Sequence, residues 1–249
     1  MQRNRFVILA VPRSGSNMLS SLLNSHGDVL CHHELYNPNG IFYALPLRNT
    51  SFQLAESMVQ RDQAPLEMLE RIWEQDLGFT CVGFKMTLKQ NPAVFDSLLN
   101  DASIKKIVLK RGNSVKTHIS KLIAEQSKVW EDYGTYRVTN GEPPRGLQKV
   151  TVNLEEMRRD IAFNREYYAE IEESLTESNQ SFLEVQYERL PDWNHQQAIL
   201  NYLDLPHQRL TTESRKQNPT DISQMICNYS ELVQECDETL LAQLRNLSD

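Results

Sequence analysis

The densest chemistry in the chain lies in a short loop, Pro12-Arg13-Ser14-Gly15-Ser16-Asn17, with Met18 next in line. Arg13 supplies a forked cation and Ser14 and Ser16 supply hydroxyl donors, while Gly15 lets backbone approach a ligand closely. An apolar run, Phe6 to Val11, precedes the loop, and Leu19, Leu22 and Leu23 follow it on one helical face. The pattern is a buried strand, a polar turn and a helix start. A helix start presents unpaired N–H groups and the positive end of its dipole, so this loop is suited to an anion such as phosphate or sulfate.

Other reactive side chains stand near predicted strand ends. His32, His33 and Glu34 follow a short strand over 28–31. A carboxylate there could take a proton, and imidazole titrates near neutral pH. Neighbours on extended chain point oppositely, so at most one of the two histidines faces a site with Glu34. Lys85 and Arg111 end two further strands, where ligands gather in open α/β sheets. Between residues 104 and 128 there are seven Lys or Arg and one acid, Glu125, in a chain of net charge −7. An acidic protein with a basic island suits a small anion better than nucleic acid.

The elements that must position these groups alternate. Strands are expected at 6–11, 28–31, 80–86, 104–109 and 181–185. Helices are expected directly after the turn 12–17 and over 64–77, 92–99, 113–130, 153–174, 195–203 and 221–246. Such alternation implies βαβ units around a mainly parallel sheet, in one domain spanning 1–249. Residues 131–150, with three glycines and two prolines, are expected to form a loop or lid over the substrate. The four cysteines show no CxxC pair, and Cys31 and Cys81 are expected to be buried free thiols. Neither a signal peptide nor an apolar run of about 20 residues is visible, so a cytoplasmic protein without a membrane span is expected. Homo-oligomerisation is left open.

The anion's identity is narrowed by absences. The GxxxxGK[ST] motif of nucleotide triphosphatases does not occur, and one glycine in the first turn does not make a dinucleotide fingerprint. Instead PRSGSNML after a strand resembles the phosphosulfate loop of sulfotransferases that use 3′-phosphoadenosine 5′-phosphosulfate (PAPS), most nearly the bacterial carbohydrate and nodulation-factor type. Ile107 to Arg111 followed by Ser120, Val82-Gly83-Phe84-Lys85, His33 to Pro38, Val185 to Leu190 and Arg215 to Pro219 resemble further family segments, touching nearly the whole chain. The resemblance implies a P-loop-like three-layer α/β fold. It implies that Arg13, Ser14, Gly15, Ser16, Asn17 and Met18 bind the 5′-phosphosulfate, that Arg111 and Ser120 bind the 3′-phosphate, and that Lys216, beside Arg215, closes over the nucleotide. Glu34 would be the general base, with His33 its rival, and Lys85 and Arg13 would neutralise developing charge. Arg13 stands where many members carry lysine and Asn17 where a second hydroxyl is common; arginine keeps the charge and adds a bidentate fork. PAPS carries an already activated sulfuryl group, so no metal is expected, and the partner is a small-molecule or carbohydrate acceptor. An ATP-dependent phosphotransferase and a non-catalytic nucleotide-binding module are the alternatives.

Overall fold

Near-continuous apolar strands need cover on both faces. The computed structural model of the chain describes residues 4–133, 137–139, 149–215 and 221–246. Its strands are β1 (Asn4–Ala10), β2 (Val29–His32), β3 (Cys81–Thr87), β4 (Ile104–Lys110), β5 (Val129–Asp132), β6 (Arg137–Thr139) and β7 (Phe182–Gln186). Five of them form one parallel sheet in the order β2-β3-β1-β4-β7, while β5 and β6 make a separate antiparallel pair. The helices are α1 (Ser16–Asn24), α2 (Met58–Gln63), α3 (Pro65–Glu74), α4 (Pro92–Asn100), α5 (Ser114–Ser127), α6 (Leu154–Glu177), α7 (Trp193–Tyr202), α8 (Tyr229–Glu235) and α9 (Glu238–Arg245).

Strand side chains alternate between faces, so β1 feeds two cores. Val7 and Leu9 pack with Ile72 of α3, Phe95 of α4 and Ile171 of α6, whereas Phe6, Ile8 and Ala10 pack with Leu19 and Leu23 of α1 and Ile199 of α7. The sheet therefore lies between two helical layers, as expected. Each fully buried aliphatic or aromatic side chain contributes about 1.5–3 kcal/mol. A third cluster joins Val115 and Ile119 of α5 to Met157 of α6, Leu232 of α8 and Leu244 of α9. Gly83 of β3 sits opposite Phe6, where a Cβ would come within 2.4 Å of the Phe6 carbonyl oxygen. Close approach of backbone is why a glycine stands inside that strand.

Several expected boundaries are corrected. Helix 64–77 begins at Pro65 and is preceded by α2. Helix 113–130 ends at Ser127, because Lys128 takes a left-handed conformation (φ 59°) and turns the chain into β5. Of the expected 131–150 loop, 131–132 lie in β5 and 137–139 in β6, and residues 134–136 and 140–148 lie outside the described residues. The expected helix 221–246 is a 3₁₀ turn, Ile222–Met225, followed by α8 and α9. The Asn228 side chain bonds the backbone of Val152 at 2.9 and 3.0 Å, and Asp237 accepts from Leu240 N to start α9 afresh. Short polar side chains that bond backbone locally end and restart helices in this way. Cys31 and Cys81 are buried and free. Among the described residues no helix is long and apolar enough to cross a membrane.

Candidate active site

β1 is the strand at which the sheet order reverses, with β3 on one side and β4 on the other. Crevices form at the carboxyl ends of strands at such a point. Here the Tyr168 hydroxyl of α6 donates to Leu109 O at 2.6 Å and accepts from Val11 N at 3.1 Å, bridging the ends of β4 and β1. The loop then turns sharply, with positive φ at Arg13 (67°) and Gly15 (95°). Ser14 closes the turn, its buried hydroxyl donating to Val11 O at 2.8 Å. Gly15 caps α1 with no side-chain hydrogen bond, so the first-turn amides of Ser16, Asn17 and Met18 have no partner within the helix. A Cβ on Gly15 would lie 2.1 Å from Cδ2 of Tyr187. Only glycine allows both that ring and that φ.

Cations gather beside this opening. Arg13 Nε donates to Ser120 Oγ at 3.0 Å and its Nη1 to Trp130 O at 2.8 Å. Arg111 Nη1 donates to Arg13 O at 3.1 Å, and its guanidinium lies 4.7 Å from the Tyr187 ring centroid, a cation–π contact. Burial, with Arg111 close by, lowers Arg13 from 12.5 to about 10, so it stays charged at neutral pH.

Lys85 at the carboxyl end of β3 is buried, and its ammonium touches three elements. It bonds Asn17 Oδ1 in the first turn of α1, pairs with Glu34 Oε1 at 3.1 Å, and stands 3.8 Å from Glu131 Oε1 in β5. The other Glu34 oxygen accepts from Asn37 Nδ2 at 2.6 Å, Gln90 Nε2 at 2.6 Å and Thr87 Oγ1 at 3.1 Å. Burial raises the Glu34 pKa, but Lys85 and the hydrogen bonds from Asn37 and Gln90 outweigh it and hold the carboxyl below its usual value. The two histidines diverge. His32 stacks on Phe52, accepts from Ala44 N at 3.2 Å through Nδ1, and is pushed down to about 3 by burial. His33 bonds Glu131 Oε1 at 2.9 Å, while burial keeps it below the ordinary imidazole range despite that carboxylate.

A cavity of about 960 Å³ opens over these strand ends. It brings together Arg13, Gly15, Ser16, Asn17, Met18, Glu34, Lys85, Arg111 and Ser120, all singled out from the sequence, with Arg215 on the wall. Ser14 is spent within the turn, His33 faces Glu131, and Lys216 lies outside the described residues. Residues that had carried no assigned role also line it: Gln90, Lys116, Trp130, Glu131 and Tyr187. For Lys116 the available signal was its place one helical turn before Ser120. Away from the loop, the wall is formed by Asn37 to Asn39, Phe42, Thr87 to Gln90, and Phe163, Glu166, Tyr167 and Glu170 of α6.

No family model matches the chain. Nodulation protein H of Rhizobium tropici is 26% identical over 234 residues, covering 91% of this chain and 87% of that protein. Nodulation protein H of Rhizobium meliloti is 25% identical over 239 residues, covering 91% and 89%. Among solved structures, a sulfotransferase from Alicyclobacillus acidocaldarius covers 99% of this chain and 95% of its own, with 13% identity and a TM-score of 0.46. Along 91% of its length the chain is thus similar to the nodulation protein H proteins, the bacterial nodulation-factor type that its loop and strand-end residues resemble.

Proposed function

We propose that residues 1–249 form a single sulfotransferase domain that moves a sulfuryl group from PAPS to a hydroxyl of a small-molecule or carbohydrate acceptor. The acceptor oxygen attacks sulfur in line, the bond from sulfur to the bridging phosphosulfate oxygen breaks, and adenosine 3′,5′-bisphosphate leaves. Glu34 takes the acceptor proton. The open N-terminus of α1, with Arg13, Gly15, Ser16, Asn17 and Met18, holds the 5′-phosphosulfate through main-chain amides and a cation, and Ser14 keeps that turn closed. Arg111 and Ser120 take the 3′-phosphate, and Arg215 and Lys216 cover the nucleotide. Lys85 and Arg13 stabilise charge on the transferring group and leaving oxygen, a preorganised role that needs no reorganisation at the moment of reaction.

One observation carries the reading: a single buried ammonium, Lys85, joins the base Glu34 at 3.1 Å to Asn17 in the first turn of α1. Base and anion cradle are thus adjacent, as in-line transfer requires. Glu34 is favoured over His33 because Glu34 lines the cavity whereas His33 is turned to Glu131.

The test is release of adenosine 3′,5′-bisphosphate from PAPS across a panel of carbohydrate and small-molecule alcohols. Acceptor-dependent release supports the reading. Nucleotide binding without release for any acceptor would favour a binding module, and transfer from magnesium-ATP would favour a phosphotransferase.

A further inference from the structure

A second carboxylate, given no role in the proposed transfer, lies beside its base. In the β5–β6 pair Val129 stands opposite Thr139 but Glu131 stands opposite Val138, so the register shifts by one residue at Trp130. Such a bulge re-aims side chains. Trp130 and Glu131 accordingly both line the cavity, which regular alternation along a strand would not allow. Glu131 is only 7% exposed, and three other segments grip it. His33 Nδ1 lies 2.9 Å from Oε1, Arg48 Nη1 donates to Oε2 at 2.8 Å, and Lys85 Nζ stands 3.8 Å from Oε1. Burial raises the Glu131 pKa, but His33, Lys85 and Arg48 outweigh it and hold the carboxyl below its usual range. Burial also keeps His33 below the ordinary imidazole range and keeps the Tyr133 phenol neutral. At neutral pH the charges set around Lys85 are therefore those of Glu34, Glu131, Arg48 and Arg13, the last of which feels both carboxylates.

We infer that Glu131 is a positioning residue for the transfer: it shares the buried Lys85 ammonium with Glu34, which leaves Glu34 basic enough to take the acceptor proton and leaves Lys85 a counter-ion afterwards. The inference rests on the function proposed above. Lys85 is 2% exposed, and a buried ammonium is costly without an anion. Once protonated, Glu34 no longer supplies one, whereas Glu131, also held by Arg48 and His33, still does. Without Glu131 the whole Lys85 charge falls on Glu34 and makes it a weaker base. Without Arg48, Glu131 draws harder on Lys85, and Glu34 becomes more basic.

The experiment titrates the Glu34 carboxyl of the full chain by carbon-13 NMR of labelled glutamate, with the signal assigned by its loss in Glu34→Gln. Alongside it, the acid limb of kcat/KM is measured for PAPS turnover. Glu131→Gln should move both to lower pH by about one pH unit and cut the plateau turnover by about threefold to tenfold. Arg48→Gln should move both to higher pH, and Glu131→Asp should bring both most of the way back to the wild type. A merely structural Glu131 would lower stability and move neither. That outcome, or both glutamine variants shifting Glu34 in the same direction, overturns the inference. If circular dichroism shows Glu131→Gln to be unfolded, Arg48→Gln decides, and a Glu34 titration unmoved in that variant overturns the inference. A wild type without PAPS turnover contradicts the proposed function, while the NMR shifts still uphold or overturn the sharing of Lys85.

Discussion

Two helices border the cavity, and they treat their N-termini in opposite ways. α1 starts from a glycine with positive φ and no side-chain cap, leaving its amides to a ligand. α5 starts from Asn113 and Gln243, which occupy its amides, and presents Lys116 and Ser120 side chains instead. Main-chain amides sit on rigid backbone and cost no reorganisation, which suits a group whose charge changes during reaction. Side-chain cations suit a group that is only recognised. The proposed function accordingly gives the α1 end, beside Lys85 and Glu34, the chemistry and the α5 end the selection.

Glu34→Gln should separate the two ends most sharply. Turnover is expected to fall by about 10²–10⁴-fold, while the bisphosphate Kd stays within about threefold; steady-state kinetics and calorimetry together check it. Gly15→Val should damage the α1 end itself, through a left-handed φ and the contact with Tyr187. A Kd increase of about 100-fold is expected, with a loss of about 1–3 kcal/mol in stability measurable by urea unfolding.

The pH profiles sharpen the same side. Glu34 is held below its ordinary 4.5, because Lys85 and its hydrogen bonds outweigh burial, so the base form persists as pH falls and the acid limb of kcat/KM lies below that value. Bound donor draws Lys85 towards its own charge and weakens the pair, so the limb in kcat, which reports the complex, moves upward. A kcat limb below that of kcat/KM would break this account. At the α5 end the effects are smaller. Arg111→Ala should weaken the bisphosphate by about tenfold, or about 1.4 kcal/mol, and spare adenosine 5′-phosphate. Asn113→Ala should cost about 1 kcal/mol of stability through the lost cap and leave the ratio of the two nucleotide affinities unchanged.

The α1 end was far more legible in the sequence than the α5 end. The apolar run of β1, the turn with Arg13 and Gly15 and the strand-end positions of Lys85 and Arg111 are local patterns, and each reports a local cause: periodicity, positive φ, strand termination. What escaped depends on chain segments far apart. Tyr187 reaches Gly15 only because β7 lies beside β4 in the sheet. Glu131 gathers His33, Arg48 and Lys85 from three other segments, and its own segment lacked clear periodicity. Lys116 sat in a run of basic residues, and such runs usually mark a solvated face. Its burial is a tertiary fact that the local run of charges does not report. The break in 221–246 comes from Asn228 bonding Val152 across the fold, which no window of neighbouring residues contains.

The central claim, that this cavity holds a nucleotide with phosphates at both ends of the ribose, is met most directly by thermal unfolding with adenosine 3′,5′-bisphosphate against ADP and magnesium-ATP. At about 100 times its Kd, the bisphosphate should stabilise the fold by about 2.7 kcal/mol, well beyond the effect of the other two. Equal or greater stabilisation by magnesium-ATP would contradict the account.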